Sequence, residues 1–171
     1  LGRAVEWLAW VKELGGCPDH RLLLATAHDL PEPMLAGLKL LAQECFATVS
    51  VAERPFAMPH EHWPVGPNWT FWCATQWLEE RAWDFFWCET DCIPLRPGWL
   101  EEIGRAYRGC GWPFMGRFEP AGVAHPEHLA GCACYPWDTY RRLRTEEFCQ
   151  AWDVNSGARF RQQAAESALI Q

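Results

Sequence analysis

A chain of 171 residues is long enough for one domain with a substantial core and short for two. Hydrophobic residues make up 49% and charged residues 22%, which excludes a disordered, collagen-like or coiled-coil chain. The net charge of −7, with Lys12 and Lys39 as the sole lysines, argues against broad phosphate-driven contact with nucleic acid.

The predicted elements alternate between helix and strand. A helical pattern opens the chain, with Trp7, Trp10, Val11 and Leu14 on one face, and Gly15-Gly16 stops it. The run Arg21 to Thr26 reads as a strand buried on both sides, which suggests a parallel sheet. Pro31 and Pro33 lead into a second helix carrying Met34, Leu38, Leu41 and Cys45 on one face, and Ala47 to Val51 alternates as a strand. A Pro- and His-rich loop over 54–67 precedes a third helix expected from about Asn68 to Arg81. Asp84 to Cys88 is a buried-type strand that ends in the polar tripeptide Glu89-Thr90-Asp91. A helix over Trp99–Arg108 and a short strand over Trp112–Gly116 follow. Glu119 to His128 reads as a loop, Leu129 to Tyr135 as a compact stretch of small residues, and the remainder as two helical patterns.

No apolar run is long enough to span a bilayer, and the chain does not open with a charged region followed by an apolar leader. The expectation is a single cytoplasmic domain over 1–171. Nine cysteines, an odd number without a Cys-x-x-Cys pair, fit reduced thiols better than a disulfide framework or a zinc site. The twelve tryptophans are mainly core or interface residues, with Trp63, Trp69 and Trp137 placed near loops where a ring can stack on a base or sugar.

The chemistry concentrates where the apolar strand stops. In an α/β fold ligands settle beyond the carboxyl ends of strands, which puts Glu89 and Asp91 at the ligand-bearing edge. On an extended segment residues two apart point the same way, so both carboxylates can share one Mg²⁺ or Mn²⁺ whose remaining shell is water and substrate phosphate. The bland reading makes them polar turn residues that end a strand. His60, His62, His125 and His128 lie in loops, where solvated histidines are commoner than ligands. Arg141, Arg142 and Arg144, with Arg159 and Arg161, can meet phosphates or simply form a solvated helix face.

The string from Trp63-Pro64-Val65-Gly66-Pro67-Asn68 through Asp84-Phe85-Phe86-Trp87-Cys88-Glu89-Thr90-Asp91 to Gly98-Trp99-Leu100 resembles GT-A fold glycosyltransferases. It is similar to uncharacterised members known largely from phage and bacterial genomes. Phe114-Met115-Gly116, His128 to Pro136 and Ala151 to Val154 extend the likeness over nearly the whole chain. Glu-x-Asp stands here where that family usually has Asp-x-Asp.

The resemblance implies a Rossmann-like mixed sheet flanked by helices. Its first strand is expected to be missing, because the chain opens on the helix that would follow it. It implies a nucleotide-sugar donor, with UDP favoured, and an acceptor that is a saccharide, a protein or a modified DNA base. Glu89 and Asp91 would hold the cation, Mn²⁺ or Mg²⁺, and the diphosphate. Asn68 and Gly131 would face the donor, and Asp153 would be the base of an inverting transfer. Each has a structural alternative: Asn68 as a helix cap, Gly131 as a packing residue, and the Trp152-Asp153 pair as a core anchor. Two other functions fit the same residues: a catalytically inert nucleotide- or sugar-binding module, and a metal-dependent phosphohydrolase.

Overall fold

A computed structural model describes residues 2–27, 30–53, 64–123, 125–143 and 151–170. Helix α1 (Gly2–Glu13) buries Leu8 and Val11 and ends on Gly15 and Gly16, both at positive φ. The Gly16 N–H reaches back to the Val11 carbonyl at 2.9 Å, and a Cβ there would stand 3.0 Å from the Cys45 carbonyl oxygen. Glycine is therefore needed both for the conformation and for the close approach.

Strands β1 (Cys17–Thr26) and β2 (Phe46–Glu53) pair in parallel, with Leu22 opposite Val49 and Leu24 opposite Val51. Helix α2 (Glu32–Gln43) makes the crossover, entered through Pro31 and with Pro33 in its first turn. Helix α3 (Val65–Glu79) then packs on both strands. It begins three residues before Asn68, so the run from 65 is helical in spite of Gly66 and Pro67: Pro is tolerated in a first turn, where the N–H has no intrahelical partner. Ala82, at φ 51°, turns the chain into β3 (Phe85–Trp87).

Helix α4 (Trp99–Cys110), β4 (Phe114–Glu119), β5 (His128–Tyr135), the single turn α5 (Thr139–Arg142), α6 (Trp152–Arg161) and β6 (Ala164–Glu166) complete the described elements. These strands form a second sheet in the order β3-β5-β4-β6; β5 is antiparallel to both neighbours, whereas β6 is parallel to β4. The molecule is thus mixed α/β, as expected, but in two sheets, and the parallel arrangement read from Arg21 to Thr26 extends to β1 and β2 alone within the first. The small-residue stretch read as merely compact is β5, a central strand. Its low side-chain volume is what permits full burial: Ala133 is 0% and Cys134 2% exposed.

Two cores lie on opposite faces. One gathers Leu8, Val11, Leu38, Phe46, Trp99 and Ile103, with Leu22, Leu24 and Phe86 packed against it. The other gathers Phe71, Phe114, Tyr135, Trp152 and Phe160, with Phe85 and Trp87 against it. Alternation along β3 thus sends Phe86 to one core and its neighbours to the other. Phe71 stacks on Trp152 with centroids 3.6 Å apart, which ties α3 to the start of α6. Among the described residues no helix is long and apolar enough to cross a membrane.

Candidate functional site

Past Trp87 the chain leaves the sheet and turns back. The Cys92 N–H donates to the Glu89 carbonyl at 3.0 Å, closing a four-residue turn with Thr90 and Asp91 at its centre. The expected extended presentation of Glu89 and Asp91 is therefore replaced by a turn, because β3 ends at Trp87 and, among the described residues, no strand pairs with the segment beyond it. The two carboxylates still influence each other. Partial burial, then the charges of Asp91, Cys92 and Asp153, push the Glu89 carboxyl above its ordinary value, while the nearby Trp87 indole opposes the shift.

The turn is held from a distant part of the chain. Trp7 donates its indole N–H to the Cys92 carbonyl at 2.8 Å, and Trp10 donates to the Pro94 carbonyl at 2.6 Å. Two tryptophans that read as a helix face thus fix the exit from the acidic turn as well as packing the core. Nothing local at Glu89 to Pro94 signals that these residues, some eighty positions upstream, are their partners.

Opposite the turn stands Gly131 in β5. Two residues along β4, Gly116 to Phe118, are matched by four along β5, Ala133 back to Leu129, so β5 bulges at Gly131. Tyr135, 0% exposed, donates its hydroxyl to the Gly131 carbonyl at 2.8 Å and so satisfies a carbonyl inside the bulge. A Cβ on Gly131 would meet Asp153 Oδ2 at 3.5 Å and Glu89 Oε1 at 3.6 Å. Carboxylates from β3's exit and from α6 thus converge on one point above a bare glycine, no more than about 7 Å apart.

Asp153 is placed by capping. It lies in the first turn of α6, where a carboxylate complements the helix dipole, and its Oδ1 accepts the Val154 N–H at 3.1 Å. The Trp152 N–H is satisfied by Asn68 Oδ1 at 3.0 Å. Asn68 is 1% exposed, so it faces the interior and holds the start of α6; it neither begins α3 nor lies open to a ligand. Asn68 and Tyr135 are thus positioning residues; Asn68 does not cap its own helix, whose N-cap is Pro64, and supports the start of α6 across 84 positions instead.

Cys88, Cys92 and Cys132 lie close together at the turn, and the Cys88 thiol donates to the Glu89 carbonyl at 3.5 Å. Their thiols interact mutually: hydrogen bonding with Cys132 and Cys88 pulls the Cys92 thiol below its ordinary value, while hydrogen bonding with Cys132 and Cys92 pushes Cys88 well up. The described cysteines are all free thiols.

Other candidates are used elsewhere. His128 is buried and its Nδ1 lies 3.0 Å from the Pro126 carbonyl, with the His125 ring edge-on at 5.0 Å. Arg141 pairs with Glu79, Arg142 with Asp138 at 2.8 Å and Arg161 with Glu127 at 2.7 Å, while Arg159 donates to the Arg142 carbonyl at 3.0 Å. Each described member of the basic cluster, Arg141, Arg142, Arg159 and Arg161, thus has a partner within the chain. Trp137 carries the Arg141 guanidinium 5.5 Å over its ring, and Trp69 stacks on Trp72 at 6.3 Å. His60, His62, Trp63 and Arg144 lie outside the described residues.

Among the described residues no three His, Cys, Asp or Glu side chains form a group able to hold a metal ion by themselves. Two carboxylates in a turn suit instead a hydrated Mg²⁺ or Mn²⁺ that also needs substrate oxygens, and do not suit a protein-only cage. Beside the turn lies an apolar cavity of about 750 Å³, with Glu89, Thr90 and Trp152 among its lining residues. No family model matches the chain, and no curated protein or solved structure is significantly similar to it.

Proposed function

We propose that the protein transfers a sugar from a nucleoside-diphosphate donor, with UDP-sugars favoured, to a hydroxyl acceptor, in a GT-A-like arrangement. The observation that carries this reading is the convergence of Glu89 Oε1 and Asp153 Oδ2 over the half-buried backbone of Gly131. Such an arrangement divides the labour between two acidic groups. Glu89 and Asp91 would hold Mg²⁺ or Mn²⁺ together with the donor's diphosphate. When bound, the cation offsets charge that develops on the leaving diphosphate, for which a chain of net charge −7 offers little else nearby.

Asp153 stands across the gap on a separate element, the first turn of α6, where it can accept the proton of an acceptor hydroxyl. Gly131 leaves room for a ring to approach the backbone between them. Capping by Asn68 and the Tyr135 hydrogen bond hold Asp153 and Gly131 in place without touching substrate. Attack of a deprotonated hydroxyl on the anomeric carbon from the Asp153 side, opposite the diphosphate, gives inversion. The acceptor is a saccharide, a protein or a modified base.

Calorimetric titration of UDP, GDP, ADP and their sugar conjugates, with and without manganese, into the protein and its Asp91→Ala variant tests the reading. The expected result is manganese-dependent binding of one nucleotide that is lost in the variant while the fold survives. Binding indifferent to Asp91 would instead mark an inert nucleotide-binding module, and release of phosphate from simple esters a hydrolase. Absence of binding in both proteins would refute the donor site.

A further inference from the structure

Three thiols gather at the acidic turn from two distant stretches of chain. Cys88 follows β3, Cys92 closes the turn, and Cys132 comes next to Gly131 in β5. All three line one cavity of about 260 Å³, together with Phe86, Ile93, Trp99, Ile103 and Ile170. They also hydrogen bond among themselves, Cys132 with both of the others and Cys88 with Cys92. Cys17, Cys45 and Cys134 are by contrast buried, and the Cys45 thiol donates to the Leu8 carbonyl at 3.5 Å. The three at the turn are only half-buried.

The backbone around Cys92 is fixed on both sides. Its N–H donates to the Glu89 carbonyl at 3.0 Å, and its carbonyl accepts the Trp7 indole N–H at 2.8 Å. Cys132 belongs to β5, which is bonded to β3 on one edge and β4 on the other. Holding one sulfur against the other therefore costs little further freedom. The Cys88 thiol is turned to backbone, 3.5 Å from the Glu89 carbonyl and 3.9 Å from that of Cys92, and of the two sulfur neighbours Cys132 acts the more strongly on Cys92. Asp91 and Ile93, on either side of Cys92, are exposed, so solutes reach this end of the cluster.

The surroundings also select the oxidant that such a pair of thiols would meet. The two charged residues of the cavity, Arg96 and Glu102, offset each other at 2.6 Å, and the rest of its wall is largely apolar. The Cys92 sulfur lies 4.0 Å from Asp91 Oδ1, in a chain of net charge −7. An anionic disulfide such as oxidised glutathione is repelled there, whereas a small neutral hydroperoxide is not.

We propose that Cys92 and Cys132 form a reversible disulfide when a hydroperoxide oxidises Cys92. The Cys92 sulfur attacks the peroxide, takes one oxygen as a sulfenic acid and releases an alcohol, or water where the oxidant is hydrogen peroxide. The Cys132 thiol then attacks the sulfenic sulfur, the S–S bond forms and water leaves. Two electrons pass from the sulfurs to the peroxide, and an external dithiol returns them by exchange. The bond fastens the end of the turn that carries Glu89 and Asp91 to β5, beside Gly131, so the redox state of the two thiols decides whether that turn is tied to the sheet.

Treatment of the reduced, folded protein with hydrogen peroxide, alkylation of the remaining thiols and peptide mapping by mass spectrometry test this without nucleotide or metal. The proposal therefore succeeds or fails separately from the transfer reaction. The expected result is a cross-link between Cys92 and Cys132 within one molecule that dithiothreitol removes. Cys132→Ser should abolish it and leave Cys92 as a sulfenic acid captured by dimedone. Cys92→Ser, at the more accessible side, should leave Cys88 and Cys132 reduced under the same treatment, and keeps the test decisive if Cys132→Ser fails to fold in urea melts. A cross-link of any other pair or between two molecules would overturn the proposal. So would thiols that peroxide leaves unchanged, or a mixed disulfide with glutathione that forms as readily as the internal bond.

Discussion

Gly157→Ala sets two effects of opposite sign against each other in the helix that carries Asp153. Alanine in a helix interior is favoured over glycine by about 0.8 to 1.0 kcal/mol, so propensity alone predicts a more stable protein. The packing predicts otherwise. A Cβ at Gly157 would lie 2.5 Å from the Leu129 carbonyl oxygen, 3.4 Å from the Leu129 nitrogen and 3.5 Å from His128 Cβ. The obstacle is backbone of a central strand, so relief requires α6 to lift from β5 by several tenths of an ångström. That movement would disturb the 3.6 Å stack of Phe71 on Trp152 and the 3.0 Å cap from Asn68. Overpacking costs about 1 to 3 kcal/mol in a well-packed interior, and an unmovable carbonyl puts this site at the upper end. The net expectation is a loss of about 1 to 2 kcal/mol, read as a lower urea midpoint with an unchanged slope. An unchanged or raised midpoint would refute the close approach of α6 to β5, and with it the placement of Asp153.

Gly131→Ala should behave oppositely: the new Cβ meets neighbours at 3.5 Å and beyond, so stability holds or rises slightly, whereas manganese-dependent nucleotide binding falls at least tenfold because the methyl occupies the gap between Glu89 and Asp153. Urea melts paired with calorimetry check both halves, and a variant that binds normally would sink the role of the bare backbone. Alkaline pH should destabilise the fold. Burial pushes the Cys17 thiol up to about 11 and Cys134 up to about 12, so between about pH 9 and those values the native state holds protons the unfolded chain has lost, and stability falls as pH rises. Cys17 alone contributes on the order of 2 kcal/mol across this window, measurable in urea melts at pH 8.5 and 10.5, and its replacement by alanine should flatten the dependence.

Local pattern determined the elements whose signal lies within their own residues. The apolar run Arg21 to Thr26, the Pro-led α2 and the amphipathic α1 ending at Gly15-Gly16 are legible because burial on one or both faces imposes a period on neighbouring side chains. The same logic located Glu89 and Asp91, since an apolar strand that breaks into acid marks a sheet edge. Tertiary structure decided the rest. Gly131, Cys132 and Ala133 carry little strand propensity, and only the space left between β3 and β4 makes them a central, bulged strand. Asn68 reads equally as a cap or a ligand contact until the start of α6 arrives to take its oxygen. The arginines read as a solvated helix face or a phosphate patch alike until Glu79, Asp138 and Glu127 come within reach of Arg141, Arg142 and Arg161. Each of these roles depends on groups distant in the chain, and the division of the described strands into two sheets is a property of the assembled layers that no window of sequence contains.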